Sequence, residues 1–169
     1  MDENYDMSVL HIYLDKTRQA FEDFKELAKD SGLIVSWKTP EQLKKHYNID
    51  VENCKITHIR LANTATPNSP EQSIPFKPEY IKREYERSCE AKKPILIQGI
   101  ERLARDSVPS TIEFLYILSD LCANSKIPVL IPMNKRFYIA EGLEKYLAEY
   151  VKKHEKISLF ERITDKIRG

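Results

Sequence analysis

Short apolar runs of strand length recur along this chain, and each is followed by a segment with helical spacing. That alternation leaves few folds open. The runs are "SVLHIYL" (Ser8–Leu14), "LIVSW" (Leu33–Trp37), "KITHIRL" (Lys55–Leu61), "PILI" (Pro94–Ile97) and "IPVLIP" (Ile127–Pro132). Most are nearly continuous in apolar residues, as strands are when helices cover both faces of their sheet. The expected fold class is α/β, a three-layer domain with a mostly parallel five-stranded sheet. At 169 residues the chain suits one domain with a core of its own.

The helical segments carry ordinary start and stop signals. After the first run, Ala20, Phe21, Phe24, Leu27 and Ala28 fall on one helical face, with Gly32 as the expected stop. "TPEQLKKHYN" opens with Thr39 as N-cap, Pro40 in the first turn and Gln42 three residues past the cap. "EYIKREYERSCEAKK" is a charged amphipathic helix, and "TIEFLYILSDLCANS" is apolar around most of its circumference. "ERLARDSVPS" reads as the crossing between the fourth strand and that apolar helix. The helix after the last strand is interrupted at Gly142. Three segments stand outside this pattern: an N-terminal tail over 1–7, a loop over 62–78 with four prolines, and a C-terminal amphipathic helix over 157–169 built on Leu159, Phe160, Ile163 and Ile167.

Composition narrows the function classes. The formal charge is +1, and the basic residues of the helices are interleaved with glutamates, which gives no electrostatic pull toward nucleic acid. No apolar run approaches the roughly 20 residues of a membrane helix. The acidic start "MDENYDMS" lacks a signal peptide's features, so a cytoplasmic protein without membrane attachment is expected. Cys54, Cys89 and Cys122 lie far apart, and His11, His46, His58 and His154 show no ligand spacing. No metal site, cofactor or catalytic residue is expected from these patterns.

Ligands of a parallel sheet bind beyond the carboxyl ends of its strands. The residues found there are Asp15 and Lys16 after the first strand, Gln98 after the fourth, and Asn134 and Arg136 after the fifth. These five form the candidate pocket. A phosphate cradle needs glycines to bend successive N–H groups inward. The chain has four glycines, and none lies between the first strand and its helix.

Three stretches together resemble an archaeal family of domains of unknown function, number 835. They are "YLDKTRQAFEDFKELAKDSGLIVSWKTPEQLKKHYNI", "PILIQGIERLARDSVPSTIEFLYILSDL" and "IPVLIPMNK". The resemblance runs from about His11 to Leu147. The family's "DG" turn is Gln98-Gly99 in this chain. More distantly, the layout is similar to the core of RecA- and KaiC-like ATPases. The resemblance implies three catalytic features: a glycine phosphate loop after strand one, a glutamate after strand two and a magnesium aspartate after strand four. Here those places hold Asp15-Lys16-Thr17, Trp37-Lys38-Thr39 and Gln98. An amide cannot supply a carboxylate's charge to magnesium. The implied protein is a degenerate RecA-like domain that does not hydrolyse ATP and acts as an interaction or regulatory module.

Phe137, Tyr138 and Phe160 are the candidate contact residues for an unidentified protein partner, and a homodimer is compatible with base rates. The alternative is a small-molecule or nucleotide sensor using the candidate pocket. A lesser alternative is an unrecognised enzyme or nucleic-acid binder using the charged run Glu101, Arg102, Arg105 and Asp106.

Overall fold

All five apolar runs form strands, and every strand pairing is parallel. The computed structural model describes residues 5–151 apart from 7, 9, 30, 53, 63–72 and 76. In chain order its elements are β1 (Leu10–Leu14), α1 (Thr17–Leu27), β2 (Gly32–Ser36), α2 (Pro40–Tyr47), β3 (Ile56–Leu61), β4 (Ser73–Ile74), α3 (Pro78–Glu90), β5 (Ile95–Ile97), α4 (Ile100–Asp106), α5 (Val108–Ser125), β6 (Val129–Met133) and α6 (Lys135–Ala140). A further helix, α7, covers 144–151.

The sheet has six strands in the order β1-β6-β5-β2-β3-β4. Five are the expected ones. The sixth, β4, is a two-residue strand inside the span expected to be loop, and it pairs Leu61 with Ile74. Side chains alternate across the strands and build two cores. Leu10, Ile12, Val35, Ile59 and Ile97 pack beneath α3, α4, α5 and α7. Tyr13, Ile34, Leu96 and Leu130 pack beneath Phe21 and Phe24 of α1 and Leu43 of α2. Helix layers on both sides explain why the strands are apolar on both faces.

Two local expectations are corrected. Gly32 does not stop α1, which ends at Leu27 with Ala28 as its cap. It opens β2 instead, and a Cβ there would lie 2.6 Å from Ala28 Cβ and 2.7 Å from Phe24 Cζ. The glycine lets α1 approach the sheet. The segment after β5 is not a bare crossing either: Ile100–Asp106 forms α4, with Ile100 and Leu103 buried in the core. The capping box of α2 forms as expected, with Thr39 and Gln42 each accepting the other's backbone N–H.

The connections define where a site can lie. The chain leaving β2 moves toward β3, whereas the chain leaving β5 moves the opposite way, toward β6. These two strands are neighbours, so the crevice at the reversal opens beyond Ser36 and Ile97.

Candidate functional site

Ser36 ends β2 and Gln98 follows β5, and the two close the floor of the crevice. Ser36 Oγ donates to Gln98 Oε1 at 2.7 Å and accepts from Lys38 N at 3.1 Å. Gln98 N donates to Val35 O at 2.8 Å. Both side chains are buried, so the bond is shielded from water. Gly99, at φ +119°, then turns the chain into α4.

Two nearby carboxylates make hydrogen bonds at the exposed rim of the crevice. Glu101 Oε1 accepts from Asn134 N at 2.7 Å, and Asp15 Oδ1 accepts from Lys135 N at 3.0 Å. Asn134 Oδ1 accepts from Phe137 N at 3.2 Å, and Asp15 N donates to Met133 O at 3.0 Å. Three N–H groups at the start of α6, those of Asn134, Lys135 and Phe137, are thus met by side chains of the protein itself.

Above this network lies a cleft of about 300 Å³, lined among others by Asp15, Trp37, Gln98, Arg102 and Asn134. The Arg102 guanidinium carbon stands 5.5 Å from the Trp37 ring centroid. Three of the five expected pocket residues, Asp15, Gln98 and Asn134, are brought together here. Lys16 and Arg136 are not among the lining residues. Lys16 occupies the N-cap position of α1, and Arg136 is exposed on α6. Only Asp15 and Lys16 separate β1 from α1, too short a connection for a phosphate loop. Thr17, Glu101 and Arg102 line the cleft as well, outside the expected five, and so does Trp37, which the sequence placed only where the resemblance implies a glutamate. As the first residue after β2, its place at the reversal became readable only once the strand order was known.

The expected contact residues fare differently. Tyr138 is 5% exposed and belongs to the core, which corrects its place as a surface candidate. Phe137 is half-buried against that core. Phe160 and the helix expected over 157–169 lie outside the described residues. Among the described residues the exposed large apolar side chains are Tyr116, Ile139 and Tyr146, at 39%, 61% and 48%. Tyr116 OH donates to Tyr146 O at 3.2 Å, joining α5 to α7. Adjacent helix residues point about 100° apart, so burying Tyr138 turns Ile139 outward.

Among the described residues no group of three or more His, Cys, Asp or Glu side chains is placed to hold a metal ion, and no helix is long and apolar enough to cross a membrane. No family model matches the chain. No curated protein matches it either, so the likeness to the archaeal family rests on the three quoted stretches alone.

Proposed function

We propose that this chain is a non-catalytic α/β module, a degenerate RecA-like domain that acts by contact with another protein. The observation that carries the reading is the closed network at the strand ends. Gln98 is held by Ser36, and the carboxylates of Glu101 and Asp15 are held by the first amides of α6. Gln98, at the place where the resemblance implies a magnesium aspartate, carries no charge, and its side-chain oxygen is already engaged by Ser36. The parallel three-layer fold is compatible with RecA-like descent, which remains a fold-level analogy. The contact residues assigned by this reading are exposed apolar side chains, the joined pair Tyr116 and Tyr146 and, on α6, Ile139.

Two measurements test it together. With ATP and magnesium, the purified protein should release no phosphate above a protein-free blank. In a pull-down from native extract, Ile139→Glu and Tyr146→Glu should each lose a stoichiometric partner that the wild type and a Glu22→Lys control retain. ATP turnover by the wild type, or retention of the partner by both patch variants, overturns the reading.

A second reading is favoured by the cleft itself, where Trp37 presents an aromatic wall beside Arg102 at the topological reversal. A planar small molecule would be sensed there without turnover. A saturable thermal shift that Trp37→Ala removes would support it over the first.

A further inference from the structure

We propose that the groove between the start of α3 and the α4–α5 corner binds a free apolar amino acid of the leucine or phenylalanine kind. The groove has a volume of about 490 Å³, within the range of small-molecule pockets, and its walls are mostly apolar. It shares no lining residue with the cleft at the reversal. Leu103 of α4 and Phe114 and Ile117 of α5 form its floor. Leu103 and Phe114 are buried, and Ile117 is half-buried. An apolar ligand body laid on them leaves water.

The charges on the two walls select the head group. The α3 wall carries Lys77 and Lys82 against the single acid Glu79, a net positive side. The α4–α5 wall carries Asp106 and Glu113 and no basic residue. These opposite charges do not pair across the groove. Among the described residues their one ion pair is that of Lys82 with Glu86 of its own helix, at 3.8 Å. An acid in the first turn of a helix answers the helix dipole, which accounts for Glu79. The dipole gives no such reason for Lys77 and Lys82 at the same end.

A free apolar amino acid answers all three surfaces. Its carboxylate meets the lysines of α3, its ammonium meets Asp106 and Glu113, and its side chain lies over Leu103, Phe114 and Ile117. A fatty acid or an alkylamine would satisfy one wall and set a like charge against the other. Exposed charge contacts are individually weak, so the apolar side chain supplies much of the affinity and the two walls supply the selectivity.

The test uses the whole chain with L-leucine and L-phenylalanine as probes, read by calorimetry and thermal shift. At least one should bind saturably at a single site, and glycine, which lacks the apolar body, should not. Analogues without the ammonium (isocaproate, phenylpropionate) or without the carboxylate (isoamylamine, phenethylamine) should bind severalfold more weakly than the parent amino acid. Asp106→Asn combined with Glu113→Gln, both at exposed positions, should weaken the amino acid severalfold and bring it level with its analogue lacking the ammonium. Ile117→Glu should remove binding by placing a charge in the floor. The proposal is overturned if neither amino acid binds saturably, or if either class of analogue binds as tightly as its parent. It is also overturned if the double variant binds the amino acid as the wild type does.

Discussion

His58 should make this protein acid-sensitive through one side chain. It stands on β3 in register with Ile34 of β2, and so faces the α1–α2 side of the sheet. Its Nε2 is buried and has no hydrogen-bond partner among the described residues. Burial first, and the neighbouring Arg60 charge second, lower its pKa to about 4, against favourable contacts with the Ser36 and Lys38 backbone. The folded protein therefore holds His58 neutral at a pH where the unfolded chain has already protonated it. The unfolded state binds more protons between about pH 6.5 and pH 4, so stability falls as pH drops through that window. Each pK unit corresponds to about 1.4 kcal/mol, which caps the loss at about 3 kcal/mol. His58 is only half-buried, and solvent screening brings the expected loss to about 1–2 kcal/mol. Urea unfolding of the wild type and of His58→Leu at pH 7, 5.5 and 4 measures this directly. The wild type should lose about 1–2 kcal/mol more than the variant over that range. Parallel pH profiles would refute the reasoning, as would an NMR titration placing the imidazole near its ordinary value.

Further outcomes follow from single contacts. Gly32→Ala should cost about 1–3 kcal/mol in chemical denaturation, because its Cβ would overlap Ala28 and the Phe24 ring. Thr39→Ala should cost about 1 kcal/mol by removing half of the α2 capping box, with little change in the unfolding slope. Gln98→Leu leaves the buried Ser36 hydroxyl without its acceptor and should cost about 1–2 kcal/mol; an unchanged midpoint would mean the bond is not formed in solution. Between the lowered Lys38 pKa and the ordinary lysine value only the unfolded chain keeps that extra proton, so this side chain opposes the loss of stability with rising pH that the buried Cys122 and Tyr85 cause. Lys38→Met should make that loss steeper in urea unfolding.

Local information was enough for much of this architecture. Near-continuous apolar runs mark strands covered on both sides, and β1, β2, β5 and β6 are buried almost throughout. The capping box at Thr39 and the missing glycines after β1 were equally readable, because each depends on residues only a few positions apart. Strand order is a different kind of fact. Nothing in the run Leu33–Trp37 says that its neighbours will be β3 and β5, so the reversal beside Trp37 and Lys38 belongs to the tertiary structure. Gly32 looked like a helix stop because its role, making room for Phe24 and Ala28, is a contact between elements. Tyr138 and Ile139 share one apolar stretch, and only the packing of α6 decides that the first is buried and the second exposed. The sequence by itself determined a parallel α/β domain without a glycine phosphate loop, since periodicity and turn chemistry are local. Tertiary structure alone decided that Gln98 meets Ser36, because residues far apart in the chain come together only when β2 pairs with β5.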